Sequence, residues 1–264
     1  MGLCLGVLRP ALPHRGAALF LDFDGTLVDL APQPDAVSVH PALPDLLTRL
    51  RAALDGALSI VSGRPVDEID HQLAPLVLCV AGVHGVERRG ADGSVRRIEL
   101  TNLDDAAARV DALCRRHPAL RAEHKRGALA LHYRQAPELE AECLEVMTQA
   151  LARCSGMALL HGKMVLEMKP AHANKGAAVR EFLDEAPFRS RRPWYFGDDV
   201  TDESAFEVVQ SLGGVAVKVG EGASSAAHRL DDPAAVRSWL TQAAAALERG
   251  SAVLAPRPAA GDRQ

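Results

Sequence analysis

A doubly wound parallel α/β core carrying an inserted α+β domain is the fold this sequence predicts, on three observations. First, three short apolar runs each end in a polar cluster and lead into a helical pattern. ALFL (18–21) runs into Asp22, ALSIV (57–61) into Ser62-Gly63-Arg64, and WYF (194–196) into Gly197-Asp198-Asp199. Runs of this kind are strands buried on both faces, as in a parallel sheet. Second, HPALPDLLTRLRAAL (40–54) lies between the first two, with Leu43, Leu46, Leu47, Leu50 and Leu54 at helical spacing. Strand, helix, strand is the alternation of a doubly wound core. Third, the middle of the chain changes character, from continuous apolar runs to strict alternation.

In chain order, residues 1–100 supply the first part of the core and 101–167 the insertion; 168–250 return to the core and 251–264 form a disordered tail. The N-terminal MGLCLGVLRPALPHRG is briefly apolar but lacks the basic start and cleavage site of a signal peptide. In the insertion, DDAAARVDALCRR (104–116) and PELEAECLEVMTQALARC (137–154) are amphipathic helices. ALALHYR (128–134) puts Leu129, Leu131 and Tyr133 on one face and Ala130, His132 and Arg134 on the other. VLEMK (165–169) opposes Leu166 and Met168 to Val165, Glu167 and Lys169. Antiparallel strands with one apolar and one polar face suit a small sheet backed by two helices, the polar face turned to a ligand. GGVAVKVG (213–220) returns to a core strand, and AAVRSWLTQAAAALERG (234–250) is the closing helix. The Pro/Ala/Gly-rich APRPAAGDRQ (255–264) ends the chain in disorder.

A net charge of −4 without a Lys/Arg block argues against nucleic acid, and the apolar runs are too short to span a membrane. Cys4, Cys79, Cys114, Cys143 and Cys154 form no C-x-x-C pair, so they read as incidental thiols of a reducing cytoplasm. The ten histidines lack zinc-ligand spacing. A metal here is therefore hard and oxygen-bound. A monomer is the default state.

The chemistry gathers at the strand ends, where a doubly wound sheet binds its ligands. Residues two apart in a strand project to one face, so Asp22 and Asp24 converge while Phe23 packs inward. Two carboxylates this close oppose each other's ionisation unless a cation intervenes, and Mg²⁺ suits one or two carboxylates plus phosphate oxygens. A calcium loop fails on spacing: Gly25 stands at position four rather than six, and a strand precedes it instead of a helix. Gly25 and Thr26 turn the chain sharply, offering backbone N–H groups to an anion. Ser62 lies near the helix start that Pro65 marks; taken singly it reads first as a helix cap and second as a phosphate ligand. Lys175 in ANKGAAVREFL opens a helix where a cation opposes the macrodipole, a placement that points to a job beside an anion. In GDDVTDE (197–203), a solvated acidic helix start accounts for Asp202 and Glu203 but not for Asp198 and Asp199, one of which would complete a metal site.

The ordered set DFDGT, SGR, NKG and GDDVTDE resembles the haloacid-dehalogenase-like phosphatase superfamily. With AGVHGVERR, ALALHYRQAP and LEMKPAHANKG added, the chain from about residue 18 to 247 is similar to the trehalose-6-phosphate phosphatase family, with no departure at a catalytic position. The resemblance implies Asp22 as the nucleophile that forms an aspartyl-phosphate and Asp24 as the acid, then base, of the two half-reactions. It implies Mg²⁺ held by Asp22, the Asp24 carbonyl and Asp198, with Asp199 and Asp202 in support, and phosphate held by Ser62 and Lys175 beside Gly25, Thr26 and Gly63. The insertion resembles the family's cap, which implies that it closes over a sugar-phosphate substrate. Sugar contacts are expected from Lys125, His132, Arg134, Glu167 and Lys169 of the cap and from Arg64, His84 and Gly85 of the core. Arg134 and Glu167 could instead pair with each other across the cap sheet. Another sugar phosphate, such as sucrose phosphate, a phosphate-shuttling mutase, and a non-catalytic sugar-phosphate sensor remain as alternatives.

Overall fold

The computed structural model describes residues 9–31, 37–97, 102–125, 127–171 and 173–254. The expected core–cap boundary at residue 100, the N-terminal eight residues and the tail from 255 lie outside them. The described residues form twelve strands, in chain order: β1 (Ala17–Leu21), β2 (Leu58–Val61), β3 (Cys79–Gly82), β4 (Glu87–Arg89), β5 (Val95–Arg97), β6 (Arg121–Lys125), β7 (Ala128–His132), β8 (Met157–Gly162), β9 (Val165–Pro170), β10 (Arg192–Gly197), β11 (Val215–Val219) and β12 (His228–Leu230). The helices are α1 (Leu43–Ala53), α2 (Val66–Leu73), α3 (Asp104–Arg116), α4 (Glu140–Leu151), α5 (Lys175–Leu183), α6 (Glu203–Ser211) and α7 (Pro233–Leu254).

The large sheet runs β12-β11-β10-β1-β2-β3-β4-β5, parallel from β12 to β3 and antiparallel over the last two strands. Its central strands are buried along their whole length, which is why AALFL and LSIV read as continuous apolar runs. The two-residue period of a strand sorts their side chains into two layers. On β10, Trp194 and Phe196 pack at a tilt against Trp239 of α7, whereas Tyr195 meets Phe206 of α6 edge-on at 5.7 Å. On β1, Phe20 packs against Phe182 of α5 and Phe188. One face of the sheet is thus covered by α1 and α7, the other by α5 and α6. From β1 the chain moves outward through β2 and β3; later it returns to the opposite side of β1 and moves outward through β10, β11 and β12. The β1–β10 boundary is the point where strand order reverses, the place where such sheets leave a crevice at their carboxyl ends.

The second sheet, β6-β7-β9-β8, is antiparallel throughout. Leu129, Leu131, Leu166 and Met168 form one core with Val110 and Leu113 of α3 and Met147 of α4, each large side chain contributing roughly 1.5–3 kcal/mol by its burial. On the opposite face Ala128 joins Val83, Val86 and Ala173 in a small apolar cluster that touches the core's loops. Ala130, from the face expected to be polar, is also buried. Strand β9 continues through Pro170, three residues past the expected end of the insertion at 167, because its register with β8 runs from Val165 to Pro170. Helix α7 likewise extends to Leu254, into the segment expected to be disordered from 251.

Candidate active site

All three polar clusters lie at the carboxyl edge of the large sheet, around the crevice between β1 and β10. Asp22 follows β1 directly and its N–H donates to the Phe196 carbonyl of β10 at 2.9 Å, continuing the ladder one residue beyond the strand. Asp22 is 4% exposed. Lys175 Nζ lies 2.8 Å from Asp22 Oδ1 and 2.7 Å from Asp202 Oδ1. Asp202 is fully buried, and its four bonds explain why. Oδ1 accepts from Lys175 and from the Tyr195 hydroxyl at 2.7 Å; Oδ2 accepts from the Asp198 and Asp199 amides, each at 3.0 Å. Asp202 is therefore the knot that ties α5, β10 and the acidic loop together. Gly197 makes room for it, since a Cβ there would fall 2.3 Å from the Asp202 carboxyl carbon.

Carboxylate oxygens of Asp22, Asp198 and Asp202 lie within 4.8 Å of one another. Because both Asp202 oxygens are committed to neighbours, Asp22 and Asp198 are the members free to ligate a cation. Oxygen-only donors of this kind fit a hard divalent ion such as Mg²⁺. The electrostatics fit it too. Burial, then the charges of Asp202 and Asp198, push the Asp22 carboxyl well above its ordinary range against the pull of Lys175. Burial and Asp202 likewise raise Asp198 to about 6. Burial disfavours the Lys175 ammonium, but Asp202 and Asp22 outweigh it and hold the group charged. Three acids against one lysine leave negative charge that a cation would relieve.

Asp24 points into the crevice but its carboxylate is gripped from behind by Arg64, Nε to Oδ2 at 2.7 Å and Nη2 to Oδ1 at 2.8 Å. Its backbone carbonyl takes no part in that fork. Gly25 has φ +72°, and an added Cβ would lie 2.1 Å from Asp198 Oδ2, so glycine is what lets the two strand ends close on each other. The turn amides expected to face an anion are used within the turn: Gly25 N–H donates to the Val28 carbonyl at 2.8 Å and Thr26 N–H to the Phe23 carbonyl at 3.4 Å. Thr26 is fully buried. Ser62 is not a helix cap, because α2 begins at Val66 with Pro65 at its N-cap. Its hydroxyl instead accepts the Arg64 N–H at 3.1 Å and lines the crevice. Gly63 adjoins it, where a Cβ would strike the His84 ring at 2.9 Å. Asp199 is exposed and lines the same cleft, and its carboxylate caps the short helical turn Val200–Asp202.

Between this edge and the cap lies a cleft of about 730 Å³, a size suited to a small ligand. From the cap, Arg134 and Glu167 reach it; from the core, His84 does. Glu167 is 7% exposed, with Lys125 Nζ 3.1 Å and His84 Nε2 3.3 Å from its oxygens. Burial pushes the Glu167 carboxyl up, but His84 and Lys125 more than reverse this and keep it ionised. Burial pushes His84 the other way, below its ordinary value. A neutral imidazole giving its Nε2 proton to Glu167 satisfies both, and leaves the buried Nδ1 as a bare acceptor. The other expected sugar contacts are used elsewhere. His132 bonds Glu123 at 2.9 Å and Lys169 donates to the Ala173 carbonyl at 2.5 Å. Gly85 packs on α5, a Cβ there meeting Ala178 at 3.3 Å. Arg134 and Glu167 both line the cleft, and the bonds of Glu167 go to Lys125 and His84.

Among the residues lining the cleft that escaped the sequence reading are two lysines. Lys163 sits at the tip of the β8–β9 hairpin, a turn that alternation does not flag. Lys218, 6% exposed on β11, donates to the carbonyls of Asp198 (2.5 Å) and Val219 (2.7 Å). A lysine inside the apolar run GGVAVKVG was the available signal.

Residues 20–234 match the family model described as trehalose-phosphatase. A trehalose-6-phosphate phosphatase of Escherichia coli (strain K12) is 41% identical over 237 residues, covering 88% of both chains. A probable trehalose-phosphate phosphatase of Sinorhizobium fredii is 45% identical over 205 residues, covering 77% of both. Among solved structures, a trehalose-6-phosphate phosphatase related protein superposes with a TM-score of 0.69 at 26% identity, over 88% of this chain and 99% of its own.

Proposed function

The chain belongs to the trehalose-phosphatase family and is a phosphatase, and from that premise we propose that it hydrolyses trehalose 6-phosphate to trehalose and inorganic phosphate. The observation that carries the mechanism is Lys175 poised 2.8 Å from Asp22 at the sheet's switch point, facing a cleft roofed by Glu167 and Arg134. Asp22 is the nucleophile. Its Oδ attacks phosphorus as the bond from phosphorus to the sugar oxygen breaks, giving an aspartyl-phosphate. Asp24 gives its proton to the departing sugar oxygen, then takes one from the water that attacks phosphorus and releases phosphate and free Asp22. Lys175 and the Ser62 hydroxyl hold the phosphoryl oxygens, whose charge spreads in the transition state. Asp22, Asp198 and the Asp24 carbonyl would hold Mg²⁺, which when bound neutralises phosphoryl charge and keeps Asp22 ionised. His84, Glu167 and Arg134 supply polar contacts to the sugar, and the cap excludes bulk water.

We place the protein in the cytoplasm as a monomer. Cys79, Cys114, Cys143 and Cys154 are free thiols, and no helix among the described residues is long and apolar enough to cross a membrane. No nucleic-acid or membrane partner is proposed.

Three measurements test the reading. Asp22→Asn should fold, shown by an unchanged circular dichroism spectrum, and release no phosphate; chelation should abolish wild-type turnover and added Mg²⁺ restore it. Wild-type turnover of the asparagine variant would refute the covalent step, and chelator-resistant activity would refute the metal. A panel of sugar phosphates, sucrose phosphate included, should show trehalose 6-phosphate favoured by at least tenfold; equal rates across it would refute the disaccharide assignment.

A further inference from the structure

Arg64 was expected at the sugar, yet it lies behind Asp24 and outside the cleft lining. Its guanidinium forms a two-bond fork with Asp24, at 2.7 and 2.8 Å. It also meets Glu68 at 3.3 Å and lies over the Phe23 ring at 5.9 Å. The side chain is 11% exposed. The backbone is fixed just as firmly. Arg64 N–H donates to Ser62 Oγ, and its carbonyl accepts the Val83 N–H at 3.0 Å. Gly82 packs under that carbonyl, where a Cβ would lie 2.8 Å away.

A carboxylate offers about four lone-pair sites. The fork occupies one on each oxygen of Asp24, and Asp24 lines the cleft. The proton that Asp24 gives must then sit on one of the remaining sites, on the side of the carboxylate away from Arg64. A fixed fork controls the rotation of the carboxylate, which a single ammonium could not do. We propose that Arg64 is the positioning residue that aims Asp24 at the departing sugar oxygen, acting through Asp24 and not through the substrate.

This rests on Asp24 being the proton donor, so Asp24→Asn is measured beside Arg64→Lys and Arg64→Gln, all first shown to be folded by circular dichroism and thermal unfolding. The probes are trehalose 6-phosphate, whose alkoxide leaving group needs a proton, and 4-nitrophenyl phosphate, whose phenolate does not. Single-turnover rates of ester cleavage isolate the first half-reaction from phosphoenzyme hydrolysis. Both Arg64 variants should lose tenfold or more on the sugar ester with KM changed less than twofold, and at least fivefold less than that on the aryl ester. Equal losses on the two esters would mean a merely structural role; a raised KM with kcat intact would mean a sugar contact; no loss would mean neither. Each of these overturns the proposal. If Asp24→Asn itself shows no difference between esters, the acid assignment falls; if it does and the Arg64 variants do not, only the role of Arg64 falls. Should one Arg64 variant not fold, the other decides.

Discussion

Gly25 shows how one missing methyl group sets the site. Its φ of +72° and the 2.1 Å approach of Asp198 Oδ2 leave no place for a side chain. Gly25→Ala should therefore cost about 1–2 kcal/mol from the left-handed backbone alone and push Asp198 away from Asp22. The expected outcome is a lower urea midpoint and a turnover reduced at least tenfold; a variant with normal kcat would show that Asp198 can move without penalty. Lys175 presents the complementary case. Lys175→Met strands Asp22 and Asp202 without their cation, and removing one partner of a buried pair typically costs 3–5 kcal/mol. Urea unfolding should show a loss of that order, and wild-type stability would contradict the buried ion-pair account. At this scale the acids and the lysine were legible, because two charges beside an apolar run, or a cation at a helix start, violate local preference. Arg64 was misread, because spacing along a chain says nothing about which way a long side chain turns. His132 and Lys169 illustrate the same gap: polar by pattern, they are bonded to Glu123 and to the Ala173 carbonyl.

Among the elements, α5 carries the clearest constraint. Gly176 stands in its first turn, where alanine is intrinsically better by roughly 1 kcal/mol. Yet a Cβ would sit 2.4 Å from the Ser204 carbonyl oxygen, because α5 crosses the start of α6 there. The close crossing is what brings Lys175 to Asp202. Gly176→Ala should thus lower the thermal midpoint and weaken turnover in spite of its better helix propensity, and a stabilised, fully active variant would refute the packing argument. The elements that carry hydrophobic period were readable: β1, β2, β10, α1, α3 and the alternation in β7 and β9. The two-residue period also told which residues of β9 face the cap core, Leu166 and Met168, and which turn away, Glu167 and Lys169. Strand β6, whose sequence is RAEHK, was not readable. It is a partly exposed edge strand held by pairing to β7, and no apolar period marks it. The β4–β5 hairpin escaped for a related reason: Arg88 and Arg89 are buried by ion pairs with Glu185 and Asp70, contacts between residues remote in sequence.

At the scale of the whole molecule, core and cap meet through the buried pair His84 and Glu167. His84 sits on a loop with φ of 55°, beside Val83 at 47°, so its ring is held by tertiary contacts against a backbone that L-residues avoid. The groups acting on that ring are Glu167 and Lys169 of β9 and Lys175 of α5. Burial and the two lysines disfavour the imidazolium, and Glu167 only partly offsets them, so the folded protein resists a proton that the unfolded chain accepts near its ordinary 6.5. The unfolded state then binds more protons, and stability rises with pH through this window: it is fully present above about 6.5 and declines as pH falls below it. Glu167 has the same sign further down. Its carboxyl is held below its ordinary 4.5, so its contribution is present above that value and is lost as pH falls through the folded one. Acid should therefore loosen the joint between the two sheets in two stages, His84 first. Thermal midpoints measured from pH 7.5 to 5 should fall in the wild type and fall less steeply in His84→Gln, which keeps a donor toward Glu167 but cannot titrate. Parallel curves for the two proteins would show that this pair does not couple the cap to the core through its proton.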